Sequence, residues 1–188
     1  NKGDQDKPEY RSRLVAQDIK QEHRGDLFAA TPPLEALNML ISMAVTQGVG
    51  NEGNRKNGMK LDFIDVRRAY FHANARREVF VQLCDEDYEE GMCGKLNFWL
   101  YGFRPAAAAW EKHYSSLLEK AGFSRGIGCG VAFWHRERDI SVAVHGDDFT
   151  FCGIDSDLEW IKCEMAKWFE IKVRAKLGED KSDDREVT

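Results

Sequence analysis

The spacing of hydrophobic residues along the chain predicts the type of each of its elements. Behind Thr31, a favourable N-cap residue, and Pro32, apolar side chains recur at helical spacing at Leu37, Leu40, Ile41, Ala44 and Val45. A second helix opens at Pro105 and ends at Gly122, and its apolar face consists of Trp110, Tyr114, Leu117, Leu118 and Ala121. A third helix opens on a capping box of Ser156 and Glu159, and its apolar face consists of Leu158, Ile161, Met165 and Trp168.

Shorter apolar runs, either continuous or alternating with polar residues, predict the strands. They occupy residues 11–17, 59–66, 78–83, 140–144, 149–151 and 169–173. The strand at residues 78–83 belongs to a side hairpin, and the Gly- and Asn-rich residues 48–58 form a connector. With the hairpin set apart, the order from residue 59 onward is strand, helix, strand, strand, helix, strand. This is the split β-α-β, ferredoxin-like order of an α+β fold.

That order brings three aspartates together. The third strand lies beside the first and antiparallel to it, so the carboxyl end of the first strand adjoins the turn between the second and third. Asp65 lies at that end, and Asp147 and Asp148 lie in that turn, within the stretch AVHGDDFTFCG. Asp62 has the opposite strand parity and is predicted to be a solvated residue outside the cluster.

Clustered carboxylates repel each other unless a cation neutralises them. Hard divalent cations take oxygen ligands, and two such ions can activate an attacking hydroxyl and stabilise a leaving oxygen in a phosphoryl displacement. Taken alone, Gly146, Asp147 and Asp148 are explained more simply by the preference of Gly and Asp for tight turns. Their coincidence with Asp65 favours a metal site for phosphoryl or nucleotidyl transfer.

Composition narrows the setting. The net charge is −5, but the acid is concentrated at residues 85–90 and 179–186, which leaves a mildly basic remainder able to accept a phosphate-bearing partner. Five cysteines without a C-x-x-C pair indicate neither a disulfide framework nor a zinc site, which favours a reducing, intracellular compartment. The longest uncharged stretch is too short and too polar to cross a bilayer, so no membrane partner is expected. The chain begins with Asn1 and ends in a polar run, and we expect it to be a segment of a longer polypeptide.

Four ordered blocks, IDVRRAYFHA from Ile64, LYGFRPAAAAW from Leu100, AGF from Ala121 and VHGDDFTFCG from Val144, resemble the reverse transcriptase of copia-type long-terminal-repeat retrotransposons. The resemblance runs over nearly the whole chain. It implies a polymerase right-hand fold with a ferredoxin-like antiparallel palm. Residues 1–58 would form a fingers-like subdomain and connector, and residues 59–188 the palm, with a hairpin insertion at residues 74–100.

The resemblance also implies roles for individual residues. Asp65, Asp147 and Asp148 match the catalytic, metal-binding aspartates, and Val66 would lend a backbone carbonyl to a metal. Tyr70 matches the aromatic residue that excludes a ribose 2′-hydroxyl, and the cations that would meet the incoming triphosphate are Arg13, Arg11 and Lys20. The implied cofactors are two Mg²⁺ ions, with Mn²⁺ as an alternative. The implied partners are deoxynucleoside triphosphates, an RNA or DNA template with its primer, and the thumb, RNase H and integrase of a Pol polyprotein. The implied location is the cytoplasm or a virus-like particle, with nuclear access of the product.

Several positions depart from the family pattern. His145 stands where the family has Tyr, and the block that normally reads L-K-Q-A-P-R-A-W carries Pro105, Ala107 and Ala108 in place of Gln, Pro and Arg. Two alternatives therefore stay open. An RNA-dependent RNA polymerase shares the G-D-D turn, although the aromatic ring of Tyr70 argues against it. A catalytically decayed palm would act only as a nucleic-acid-binding or structural module.

Overall fold

The computed structural model describes residues 14–18, 32, 34–46, 49–50, 58–75 and 77–187. Within these ranges the α-helices are α1 (Leu34–Val45), α2 (Ala106–Lys120) and α3 (Asp155–Trp168). The strands are β1 (Met59–Val66), β2 (Phe80–Val81), β3 (Gly94–Lys95), β4 (Phe123–Arg125), β5 (Ala132–His135), β6 (Ile140–His145), β7 (Asp148–Ile154) and β8 (Ile171–Leu177). None of the helices in the described ranges is long and apolar enough to cross a membrane.

Six strands form one antiparallel sheet in the order β4-β5-β6-β7-β1-β8. The predicted pairing of β1 with the strand after the Gly-Asp-Asp turn, β7, is confirmed. The predicted side hairpin is also present, although its strands β2 and β3 are only two residues each. The short strands β4 and β5, which extend the sheet beyond β6, were not predicted from the sequence.

The alternation of side chains along β1 divides the hydrophobic core between the two faces of the sheet. Ile64 and Val66 pack with α2 and α3 in the larger cluster, which also contains Trp110, Tyr114, Leu118, Phe149, Phe151, Leu158, Ile161 and Met165. Leu61 instead packs against Leu40 of α1 in a smaller cluster. Asp65 shares the parity of Leu61, so it lies on the α1 face, and Asp62 lies on the face covered by α3.

The boundaries of α3 and β8 differ from those predicted, and so do ends of β2, β6 and β7. α3 begins at Asp155, directly after β7, with Ile154 at the N-cap, so Ser156 lies inside the first turn and the predicted capping box is wrong. Glu159 instead accepts hydrogen bonds from Lys162 and Lys176. β8 begins two residues later than predicted and continues to Leu177.

The predicted strand at residues 11–17 is not formed by its described part. Residues 14–18 have no regular secondary structure, and the backbone N–H of Ala16 donates to the carbonyl of Tyr101 at 2.7 Å. Gly102 makes this approach possible, because a Cβ there would lie 1.9 Å from the Ala16 carbonyl oxygen. The predicted N-cap Thr31 and residues 51–57 of the predicted connector lie outside the described residues.

The prediction that Asp62 is solvated is wrong. Its side chain is fully buried, because α3 covers this end of β1 and places Lys162 Nζ 3.4 Å from Oδ2. Among the described residues, neither carboxylate oxygen accepts a well-formed hydrogen bond. Burial is the largest influence and raises the pKa of Asp62, while the charges of Lys162 and Lys176 oppose that rise.

We therefore expect Asp62→Asn to stabilise the protein at neutral pH. A carboxyl whose pKa is raised by folding makes the folded state less stable as the pH rises above its ordinary value of 3.8. The gain in the free energy of unfolding should grow as the pH rises above that value and vanish in acid, as measured by urea denaturation across pH. The control is Asp155→Asn, which should have the opposite sign, since hydrogen bonding to Lys176 lowers the pKa of Asp155. Equal pH profiles for the wild type and Asp62→Asn would contradict the burial argument.

Candidate active site

Three aspartates meet at one end of the sheet, as the strand order predicted. In the antiparallel register of β1 and β7, Asp65 lies directly opposite Asp148. Asp147 precedes β7, and its carbonyl accepts a hydrogen bond of 2.8 Å from the backbone N–H of Val66. All three aspartate side chains are half-buried. The backbone pairing of two strands therefore fixes carboxylates that are distant in sequence at neighbouring positions.

The turn that carries the aspartates is tied to the core. Gly146 has φ of +65°, a left-handed conformation that favours glycine. Its carbonyl accepts a 2.7 Å hydrogen bond from the indole Nε1 of Trp110, a residue that is 1% exposed in the middle of α2. His145, at the position where a Tyr was expected, is exposed and pairs with Asp148 across β6 and β7. The position of the turn thus depends on α2.

The aspartates bring negative charge to this end of the sheet, and Arg174 of β8 supplies positive charge that offsets part of it. Burial raises the pKa of Asp148, the carboxylates of Asp147 and Asp65 add to that rise, and the charge of Arg174 opposes it. The Arg174 guanidinium donates to Asp65 Oδ2 and lies 3.2 Å from Asp148 Oδ1. Sequence reasoning missed Arg174 because the predicted last strand ended at residue 173. The signal in the sequence that could have identified it is the pair of basic residues, Arg174 and Lys176, that continue the strand towards Leu177.

Tyr70 lies in the short turn that follows β1, four residues after Val66. It follows Arg68, whose backbone is left-handed at φ of +55°, and it belongs to a single 3₁₀ turn, Ala69–His72. Its half-buried ring packs against Tyr101 with the centroids 4.5 Å apart. Burial is the main cause of a raised pKa for Tyr70, and the charge of Asp147 contributes, which indicates that the ring lies near the carboxylate turn.

The remaining predicted site residues, Arg11, Arg13 and Lys20, lie outside the described residues. Residues 14–18, which lie between Arg13 and Lys20, are anchored beside Tyr101. Ala16 bonds to the Tyr101 carbonyl, and the Asp18 carboxylate accepts a 3.1 Å hydrogen bond from the backbone N–H of Arg104. Residues 14–18 therefore lie beside the loop whose Tyr101 ring supports Tyr70.

The donor chemistry of the three aspartates suits a hard divalent cation, because all the side-chain donors are carboxylate oxygens. Within the described part of the chain, however, no group of three His, Cys, Asp or Glu side chains is arranged closely enough to hold a metal ion. In this arrangement the positive charge between Asp65 and Asp148 is supplied by Arg174. The residues fit a metal by their chemistry, and the guanidinium is the group that stands where a cation is needed.

The fold is a mixed α/β domain with an antiparallel sheet that carries three acidic side chains at one end. Residues 1–180 match the family model described as reverse transcriptase (RNA-dependent DNA polymerase). The chain therefore belongs to the reverse transcriptase family, whose members are nucleotidyltransferases. The match extends over both the described sheet and the amino-terminal segment that docks beside Tyr101.

We expect Trp110→Phe to destabilise the carboxylate turn. The substitution keeps an aromatic ring in the core but leaves the Gly146 carbonyl without its indole donor, which should lower the free energy of unfolding by about 1 to 3 kcal/mol. Urea denaturation measures the loss. The control is Trp168→Phe. It makes the same exchange of an indole for a phenyl ring at a partly buried residue of α3 that packs against the same core. A loss no larger than that of the control would show that the hydrogen bond contributes nothing.

Proposed function

We propose that the chain is the fingers and palm segment of a copia-type retrotransposon reverse transcriptase and that it catalyses RNA-directed DNA synthesis. The observation that carries the proposal is the placement of Asp65 opposite Asp148, with Asp147 beside them, in a chain of the reverse transcriptase family. The copia-type assignment rests on the sequence blocks around these residues, including IDVRRAYFHA and VHGDDFTFCG.

In this proposal residues 59–188 are the palm of a right-hand polymerase, and residues 1–58 are a fingers-like subdomain with its connector. Two features of the sheet support a palm. Helices α2 and α3 cover the face that bears Ile64 and Val66, while Asp65 and Asp148 lie on the opposite parity. Asp65 and Asp148 are partly exposed at the sheet end, where a substrate can reach them. The hairpin of β2 and β3 is then the insertion into the palm.

Two Mg²⁺ ions, or Mn²⁺ in their place, are the proposed cofactors. Asp65, Asp147 and Asp148 would hold them through carboxylate oxygens, and Val66 would add its backbone carbonyl. When bound, such ions lower the pKa of an attacking hydroxyl and stabilise the developing charge on the leaving oxygen. The chain itself fixes the positions of the carboxylates through the β1–β7 register and keeps the turn in place through the bond from Trp110.

The proposed reaction joins the 3′-hydroxyl of a primer to the α-phosphate of a deoxynucleoside triphosphate and releases pyrophosphate. Base pairing with an RNA or DNA template would supply the sequence information. The cations that would meet the triphosphate are Arg11, Arg13 and Lys20. The thumb, RNase H and integrase of the Pol polyprotein are the expected partners, and the cytoplasm or a virus-like particle is the proposed setting.

We expect Asp147→Asn to abolish primer extension. The test uses an RNA template, a DNA primer, deoxynucleotides and Mg²⁺, with a polypeptide that continues beyond this chain through the thumb. Loss of a metal-binding carboxylate removes several kcal/mol of transition-state stabilisation, so the rate should fall at least about a hundredfold. Asp157→Asn is the control, since that carboxylate pairs with Arg138 on the surface of α3. Equal rates for Asp147→Asn and the wild type would refute the proposed metal site.

We also expect Tyr70→Val to admit ribonucleotides. The ring of Tyr70, supported by Tyr101, is proposed to close the space that a ribose 2′-hydroxyl needs. Its removal should reduce the ratio of kcat/KM for deoxynucleotides over ribonucleotides by about tenfold or more. The matched control is Phe71→Val, because Phe71 is the adjacent aromatic residue and also contacts Tyr101, at a centroid distance of 6.1 Å. A wild-type enzyme that prefers ribonucleotides would instead be an RNA polymerase.

A further inference from the structure

Arg174 occupies an irregular position in β8. The register pairs Ile64 with Val173 and Phe63 with Ala175, so Arg174 is the extra residue of a β-bulge and has no partner on β1. A bulge bends its strand and redirects the side chain of the extra residue. Here the redirected side chain is a guanidinium that reaches the aspartates where β1 ends and β7 begins.

The contacts of Arg174 are those of a cation held between two acids. Its guanidinium donates to Asp65 Oδ2 and lies 3.2 Å from Asp148 Oδ1. The hydrogen bond to Asp65 raises the pKa of Arg174, and the charges of Asp148 and Asp147 add to that rise. An arginine stays charged at all physiological pH values, so its charge is always present to offset the repulsion between the facing carboxylates.

The location of Arg174 also allows its guanidinium to move away from the aspartates. β8 is at the edge of the six-stranded sheet, and the side chain of Arg174 is 40% exposed. Lys176, two residues further along the same strand, differs because it is held by Asp155 and Glu159 of α3 and its side chain is 19% exposed. The guanidinium can therefore rotate into solvent without breaking the core, whereas the ammonium of Lys176 is fixed to a helix.

We propose that Arg174 is a displaceable internal cation, which holds Asp65 and Asp148 together in the metal-free protein and must leave them when a divalent ion binds. This inference rests on the proposed function and deepens it, because it assigns a role at the same site to a residue outside the aspartate motif. The free energy of the ion pairs is lost on metal binding and is subtracted from the affinity. Arg174 thereby raises the divalent-ion concentration at which the site fills.

The test measures metal binding rather than activity. Mn²⁺ is titrated into the metal-free chain by calorimetry and by electron paramagnetic resonance, for the wild type, Arg174→Gln, Arg174→Lys and Asp65→Asn. We expect Arg174→Gln to lower the apparent dissociation constant about tenfold, since a competing charge is removed. Arg174→Lys should fall between the wild type and Arg174→Gln, because it keeps a cation but loses the planar fork. Arg174→Gln should also melt at a lower temperature in EDTA and gain more from added Mg²⁺.

The matched control is Arg138→Gln. The Arg138 side chain is 39% exposed and pairs with Asp157 at 2.7 Å, so the substitution removes a similar ion pair at the opposite end of β6 from the aspartate turn. It should leave the Mn²⁺ affinity unchanged. Circular dichroism of each variant verifies that it is folded, and Arg174→Lys serves in place of Arg174→Gln if the neutral variant does not fold.

The outcomes separate the two proposals. Binding that Asp65→Asn abolishes and that Arg174→Gln tightens supports the role of Arg174. Binding that Asp65→Asn abolishes but that Arg174→Gln leaves equal or weaker overturns that role and keeps the metal site. If neither the wild type nor Arg174→Gln binds Mn²⁺ more tightly than Asp65→Asn does, the proposed metal site is overturned, and the role of Arg174 with it.

Discussion

Asp65 and Asp148 face each other across β1 and β7, and the rest of the structure holds this unfavourable pair of charges in place. Like charges directly opposite each other destabilise an antiparallel pair. The pair nevertheless forms because both strands are central in the sheet and bury large side chains, Ile64 on β1 and Phe149 on β7, in the same core. The hydrophobic core therefore holds in place a local arrangement that electrostatics alone would separate.

β1 also carries a second group of charged residues, on the face covered by α3, and the role of these residues is structural. Lys60 is nearly buried and pairs with Asp180 and Asp183, which fastens the tail after β8 to the sheet. Asp62 is buried beside Lys162 of α3. Lys60, Asp62 and Asp183 are thus enclosed by elements of the fold. Asp65 and Asp148 lie instead where β1 ends and β7 begins, and they meet an exposed arginine.

The sequence predicted β1 at residues 59–66 without error, because its apolar run is bounded by a polar connector on one side and by the carboxylate on the other. The approach of Asp65 to Asp148 followed from strand order alone. The burial of Asp62 did not, because it depends on where α3 crosses the sheet and places Lys162, which is a tertiary contact. The contact of Arg174 with the aspartates did not follow either, since no periodicity of side chains reveals a one-residue bulge in the pairing of β8 with β1.

The departures from the copia-type pattern fall in two groups when they are placed in the structure. Pro105 stands at the N-cap of α2, with Ala107 and Ala108 in its first turn, and the helix forms with these small side chains. The residues that position the aspartates, Trp110 and Gly146, are intact and bonded to each other. Under the proposed function, the altered block would change contacts to a template or nucleotide while the carboxylate end keeps its geometry. His145 belongs to the second group, because it pairs with Asp148 across β6 and β7, where a positive charge on its ring would lower the pKa of that carboxyl.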